Sequence, residues 1–527
     1  MEAVPLFELV IAMLFTVIAL HFLAHRLRLP PAVALIVGGA GLAFIPGLPT
    51  ISLDPALVLV IFLPPLLMDG AWFIPLRHVR RHLVGILSLA IGAVMFTTLV
   101  VAVVTHWLLP SLPWGICAAL GAVVSPPDAV AARAVLQRVR LPQRLSILLE
   151  GESLLNDATG LVLFRFAIAA AVTGTFSTAD ALGSFALLAL GGIAVGAACA
   201  AVWVLVARRL DDEYLVVATS VLLGWATYII AEQVHVSGVI ATVVCGLICG
   251  WYQHRVFSAV IRLRGASFWN VMIFLLEASV FLLIGSSLRE VIGRVGGFSV
   301  VFEQMALPIL YIVLAMTLAR FAWLFLCDGI IVLQRKAGRR LTTMGWRAST
   351  VLGWAGMRGV VTLAVALSVP GNLPGRDFLL VAAFAVILIT VLVQGTTLGW
   401  VIGWLRPPEE GARVAPLNMS QAEVAMAKAQ VAAVEALARA PDGKVIHPQL
   451  LERYRRRATT SQEYAANEGA QQPRLQAHFD VVLEAVAAAR KELLRLHEEG
   501  QIDDHVLQEL ERDLDIEELG AISAKAT

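Results

Sequence analysis

Apolar runs of about 20 residues, each long enough to cross a hydrocarbon core as a helix, recur along the first 405 residues and are separated by short polar connections. The pattern predicts thirteen spans, at about 4–25, 31–48, 54–74, 83–109, 112–137, 144–173, 181–207, 214–232, 236–252, 267–289, 301–333, 345–369 and 376–405. Alternate connections are basic: His25-Arg26-Leu27-Arg28, Arg77 to Arg81, Arg138-Val139-Arg140 with Arg144, Arg208-Arg209, His254 to Arg264, and Arg335 to Arg340. The connections between them are short or nearly neutral, apart from the one carrying Arg289 and Arg294 against Glu290 and Glu303. Because positive charge marks the cytoplasmic side, thirteen spans place the N-terminus outside and the C-terminal region in the cytoplasm. The first run lacks the basic flank of a signal peptide and is read as a retained span.

An odd count also allows two six-span inverted repeats, spans 1–6 and 8–13, joined by span 7. Irregular helices should then fall at matching positions. Span 5 carries Ser125-Pro126-Pro127-Asp128, where two prolines break the helical ladder; its partner, span 12, carries Gly356-Met357-Arg358-Gly359 and Pro370. A matched pair of interrupted spans points to a transport site at mid-membrane.

Composition agrees with a polytopic all-α membrane protein, since 58% of the chain is hydrophobic and 15% charged. The charge is concentrated beyond Arg406-Pro407-Pro408: residues 406–527 hold 15 of the 40 Lys+Arg and 21 of the 39 Asp+Glu. Residues 1–405 therefore read as a membrane domain and 406–527 as a cytoplasmic helical region. A net charge near +1 gives no reason to expect a nucleic-acid partner. Cys117, Cys199, Cys245, Cys249 and Cys327 lie in or beside apolar runs and read as small buried side chains.

Eight ionisable residues stand well inside the apolar runs: Asp69, Asp128, Glu152, Asp157, Arg165, Glu277, Arg320 and Arg358. Such groups are costly in hydrocarbon and mark function by default. The densest cluster is Gly151-Glu152-Ser153-Leu154-Leu155-Asn156-Asp157. On a helix Ser153 and Asp157 share one face, with Glu152 and Asn156 beside them. Glu152 and Arg358 read as a structural ion pair, Arg165 and Arg320 as architectural, and Glu277 as either. Asp128 and Asp157, with the Ser153 hydroxyl and backbone carbonyls freed at Pro126 and Pro127, make an all-oxygen site suited to a hard cation such as Na⁺. Desolvation favours a neutral carboxyl group and a nearby cation favours a charged one. Asp157 can therefore hold a proton or a cation, but hardly both, and that competition couples the two fluxes. Asn156 cannot titrate, which predicts one cation exchanged for one proton.

These residues match a family pattern. The stretch Gly151 to Asp157 resembles the signature of the cation:proton antiporter superfamily, in its sodium/proton exchanger branch. Leu63 to Asp69, Ser125 to Val130, Phe281 to Gly285 and Gly356 to Val361 support it in the family's order, over residues 1–405. The resemblance implies a homodimer with a dimerisation domain and a six-helix core crossed by two broken helices. It implies Asp157 as the cation- and proton-binding carboxylate, with Ser153 and Asp128 as ligands and Asp69 as an acid that joins the site in some relatives. It also implies Glu152 with Arg358 as a core ion pair, Asn156 as the amide of electroneutral exchange, and Arg320 as the basic residue of the preceding span. The chain departs from the family at Pro127, where a hydroxyl residue is usual and any ligand must be a carbonyl. It departs again at Asn270 and Glu277, where the family's acid and amide are exchanged.

In the C-terminal region Ala422 to Ala440, Phe479 to Glu499 and Asp503 to Leu519 read as helices, and Thr459 to Pro473 as a loop. Arg453 to Arg457 is a basic patch for anionic lipid or a solvated helix face. No catalytic or nucleotide-binding motif appears, and no cofactor is expected. The partners expected are a monovalent cation, the proton and the bilayer of the plasma membrane. The competing readings are a K⁺-preferring antiporter, a channel or sensor, and an intramembrane aspartyl protease using Asp128 and Asp157. The protease reading lacks the Tyr-Asp and Gly-x-Gly-Asp signatures.

Overall fold

In hydrocarbon a helix satisfies its own backbone, so each place where the ladder fails needs a donor from elsewhere. The computed structural model, which describes residues 3–27, 29–45, 55–74, 76–128, 141–174, 178–210, 212–336, 343–408, 419–438, 445–466 and 468–526, shows how these failures are met. Pro65 cannot donate to the carbonyl four residues back, and Trp225 Nε1 takes that Ile61 oxygen at 3.1 Å. A π-helical turn spans Ser88–Ala93, and the Ser88 carbonyl accepts from Trp323 Nε1 at 3.1 Å. Helix ends near water are capped in the ordinary way. Asp212 accepts from the Tyr214 and Leu215 amides, Ser237 from Ile240 and Ser258 from Ile261.

Among the described residues the regular elements are helices, and most of those before residue 406 fall on the apolar runs. Eight are long and apolar enough to cross a membrane: Glu8–Leu27, Val79–Leu108, Gln143–Thr173, Gly183–Ala207, Glu213–Gln233, Ala259–Arg294, Phe298–Lys336 and Arg376–Leu405. Pro31–Ala43, Leu57–Phe73 and Trp114–Val124 are shorter apolar helices. The protein is therefore an all-α polytopic membrane protein. Residues 129–137 of the fifth apolar run, and the basic connection at 138–140, lie outside the described residues.

Two irregularities position the site. Helix Trp114–Val124 stops at the Pro126-Pro127 step, and helix Trp346–Trp354 is separated from Val360–Leu367 by non-helical residues 355–359. Their non-helical segments meet, because the Asp128 amide donates to the Met357 carbonyl at 2.7 Å. Helix Gln143–Thr173 packs against Trp114–Val124 so closely that a methyl on Gly160 would strike Pro126. Elsewhere, helices Pro31–Ala43 and Ala259–Ser286 touch through Gly39 and Gly285, where a Cβ on either would meet the other's backbone. That contact explains why the run from Phe281 ends in glycine.

The chain forms two compact units, Met1–Glu410 and Gly411–Thr527. The second pairs Met419–Leu437 with Pro448–Ala466, and Glu468–Glu498 with Asp504–Ala526. Thr459 to Pro473 was expected as a loop, but helix runs to Ala466 and resumes at Glu468. The Thr459 and Thr460 hydroxyls fold back onto the Arg455 and Arg456 carbonyls at 3.1 and 3.0 Å, so polar side chains there are accommodated within the helix. In the basic patch Arg455 meets Glu435 at 2.5 Å and Arg456 meets Glu452 at 2.9 Å, which makes this part of it a solvated, ion-paired face. In the last hairpin Arg490 bonds Asp515 at 2.9 Å and Glu518 at 2.5 Å, and these bonds hold its guanidinium above the usual range.

Candidate cation-binding site

Helix Gln143–Thr173 presents two faces at the crossing. On one, Glu152 is 1% exposed and receives Arg320 in a fork: Nη1 to Oε1 at 2.5 Å and Nη2 to Oε2 at 2.8 Å. Arg320 Nε also donates to the Leu352 carbonyl at 3.2 Å, near the end of half-helix Trp346–Trp354. Arg358 sits beside this pair, and its donors go to backbone rather than carboxylate. Nε reaches the Val124 carbonyl at 2.7 Å, Nη2 the Ser125 carbonyl at 3.1 Å, and Nη1 the Gly356 carbonyl. Both arginines thus cover carbonyls at the C-terminal ends of half-helices, where the helix dipole is negative. Gly356 lies between them; a Cβ there would come within 2.9 Å of both guanidinium groups.

The other face opens on a cavity of about 50 Å³ lined by Asp157, Ser153 and Asp128, with Leu63, Leu67 and Val360 among its apolar walls. Asp157 is buried, at 8% exposure, and Asp128 is its electrostatic neighbour. The Asp128 carboxylate lies against Gly359, the residue that opens half-helix Val360–Leu367, so closely that a methyl on Gly359 would overlap it. A helix N-terminus suits an anion. The cavity therefore gathers a hydroxyl and two carboxylates, one at a helix N-terminus, in a space too small for an ion with its full hydration shell. Asn156 braces this wall: its Nδ2 donates to the Pro127 carbonyl at 2.6 Å.

A family profile described as sodium/hydrogen exchanger, transmembrane, matches residues 10–404. The chain belongs to the sodium/hydrogen exchanger family. It is a multi-pass membrane protein, and the exchange of a cation for a proton is its activity. It is 32% identical over 531 residues to an uncharacterized Na⁺/H⁺ exchanger of Mycobacterium tuberculosis, covering 97% of this chain and 95% of that one. A sodium, potassium, lithium and rubidium/H⁺ antiporter of Bacillus subtilis is 34% identical, over 74% of this chain and 60% of its own. The Na⁺/H⁺ antiporter ApNhaP of Aphanothece halophytica is 31% identical, over 71% of this chain and 69% of its own. The solved structure of the sodium proton antiporter MjNhaP1 from Methanocaldococcus jannaschii shares the fold, with a TM-score of 0.59, 21% identity and coverage of 77% of this chain and 99% of that one.

One sequence expectation for this exchanger needs correction. Glu152 pairs with Arg320, not Arg358, because Arg358 lies where the half-helices expose carbonyls and its donors are consumed there. Near the Pro126-Pro127 step the Val124 and Ser125 carbonyls accept from Arg358, and the Pro127 carbonyl accepts from Asn156. Each of these oxygens has a second lone pair. Asp69, buried at 7% exposure, lines an open cleft of about 1010 Å³ that shares wall residues with the small cavity. Glu277 lines that cleft too. Arg165 points elsewhere: it meets Glu232 at 3.3 Å, and Glu232 also accepts from the Gly238 amide.

Two residues of this region carry no expectation from the sequence. Glu150 lines both the cleft and the cavity. Its spacing of seven from Asp157 and three from Ser153 was the available signal. Thr390, buried at the start of a π-helical turn, accepts from the Arg358 amide at 3.1 Å and so anchors the second break. Nothing in its sequence context marks it.

Proposed function

We propose that the chain is an electroneutral antiporter that exchanges one monovalent cation, Na⁺ foremost, for one proton at Asp157. One observation carries the reading: Asp157, Ser153 and Asp128 share a small buried cavity, while the arginines of the crossing are engaged outside it. Ser153 and Asp128 ligate the cation. Asp128 lies at the N-terminus of Val360–Leu367, and Asp157 is the group whose occupant changes. Glu152 is neutralised by Arg320, and Asn156 has no proton to release. Proton and cation each cancel the same charge, and the empty site carries an excess negative charge that makes it costly to move through the barrier.

The same reading places thirteen spans in two inverted repeats that work by alternating access, in a homodimer of the plasma membrane. The N-terminus is outside and the C-terminal region, residues 406–527, is cytoplasmic. The chain uses no cofactor and serves intracellular pH and Na⁺ homeostasis. The Bacillus relative, named for sodium, potassium, lithium and rubidium, favours a second reading in which K⁺ is also carried.

Proteoliposomes holding the full chain test both readings. An outward Na⁺ gradient should change internal pH at a rate that clamping the voltage with K⁺ and valinomycin leaves unaltered. Voltage-dependent exchange would overturn the one-for-one count. Competition among Li⁺, Na⁺ and K⁺ distinguishes the two cation preferences.

A further inference from the structure

The open cleft and the small cavity share two wall residues, Gly70 and Glu150. Gly70 has no side chain, so Glu150 supplies the functional group common to both walls. Glu150, Ser153 and Asp157 stand at i, i+3 and i+7 on helix Gln143–Thr173, which puts all three on one face. The stripe leads from the cleft to the exchanging carboxylate. Glu150 is half-buried, whereas Asp157 is nine-tenths buried, so the stripe also runs from wetter to drier surroundings. The cleft carries other titratable groups, His21, His25, Asp69 and Glu277, but none of them borders the cavity.

From this geometry we infer that Glu150 is a cation-recruiting carboxylate at the neck between cleft and site, where it draws in the monovalent cation and lends an oxygen while the ion sheds water. The cavity of about 50 Å³ has room for only a few waters. An ion entering it must therefore exchange hydration oxygens for protein oxygens on the way. A carboxylate one turn before Ser153 provides the first of them, and its charge raises the local cation concentration at a narrow, apolar-walled opening. Glu150 meets the cation only in passing; the proton and cation that exchange do so at Asp157. The inference rests on the reading of that site given above.

The test compares initial rates of Na⁺-driven exchange in proteoliposomes over a range of Na⁺ concentrations, for the wild type and for Glu150→Gln, Glu150→Asp and Glu277→Gln. Loss of the neck charge should raise the apparent KM for Na⁺ about three- to tenfold, with the maximal rate changed less than about twofold. Glu150→Asp should restore most of the affinity. Glu277→Gln, which removes a cleft charge away from the neck, should raise KM by less than Glu150→Gln does. A merely structural role for Glu150 would lower the maximal rate or the yield of folded protein and leave KM unmoved, and that result overturns the inference. An equal KM shift in Glu277→Gln also overturns it, because the cleft as a whole would then be the attractor. A wild type without cation-dependent exchange would overturn the reading of Asp157 itself, whereas normal wild-type exchange with an unchanged KM in Glu150→Gln overturns this inference alone.

Discussion

Glu152 and Asp157 stand five residues apart on one helix, both buried, and the protein treats them in opposite ways. Glu152 is met by a forked guanidinium whose third donor goes to a carbonyl, and Arg358 beside it spends its donors on three more carbonyls. That cluster is closed: its carboxylate has a countercharge, and its hydrogen bonds are made within the protein. Asp157 faces a cavity with a second carboxylate and a hydroxyl, and the arginine groups of the crossing point away from it. A closed cluster fixes the shape of a crossing, whereas an acidic cavity needs a cation or proton to complete it. Two broken helices create both at once, because the same breaks supply carbonyl ends for arginines and an N-terminus for Asp128.

The comparison breaks most severely if the closed cluster is opened. Glu152→Gln leaves Arg320 without its countercharge in a buried setting, which should cost about 3–5 kcal/mol. Folded yield and melting temperature in detergent should fall, and Glu152→Gln with Arg320→Met should recover part of the loss. Gly359→Ala acts on the other side, driving a methyl into the Asp128 carboxylate. Overpacking of this kind costs about 1–3 kcal/mol, and the apparent affinity for Na⁺ in transport assays should drop more than the melting temperature does. Asn156→Asp exchanges the donor to the Pro127 carbonyl for a group that donates only when protonated. Loss of that buried bond costs about 1–3 kcal/mol. The sign follows directly: the bond survives at low pH, where the new acid keeps its proton, and fails as pH rises, so the melting temperature of this variant should fall towards alkaline pH more than that of the wild type. Arg165→Gln removes a half-exposed ion pair with Glu232, worth at most about 1 kcal/mol, and should leave both melting and exchange nearly unchanged.

Much of this arrangement was legible in the chain. Apolar length placed the helices, and Pro126-Pro127 and Gly356 to Gly359 marked the breaks that meet through Asp128 and Met357. The spacing of Ser153 and Asp157 put them on one face, and they do line one cavity. What sequence could not supply was the choice of partners. Residue type and the family resemblance suggested Glu152 with Arg358, because backbone carbonyls leave no mark in the sequence. They turn out to be the main acceptors for Arg358. Nor does residue type show that Arg358 and Asn156 donate to the carbonyls near Pro127. The resemblance implied Asp69 near the site, and it lines the cleft that shares Gly70 and Glu150 with the cavity. In the C-terminal region the stretch after Thr459 looked too polar for helix, since local hydroxyl-to-carbonyl bonds are not readable from residue type alone.

The central claim is that one carboxylate, Asp157, holds a proton or a cation but not both. Calorimetric titration of the purified exchanger with Na⁺, repeated in buffers of different ionisation enthalpy, counts the protons released as the cation binds. The account predicts release approaching one proton per Na⁺ when the site starts protonated, and no coupled release from Asp157→Asn. Sodium binding without proton release in the wild type, or undiminished release from Asp157→Asn, would contradict it.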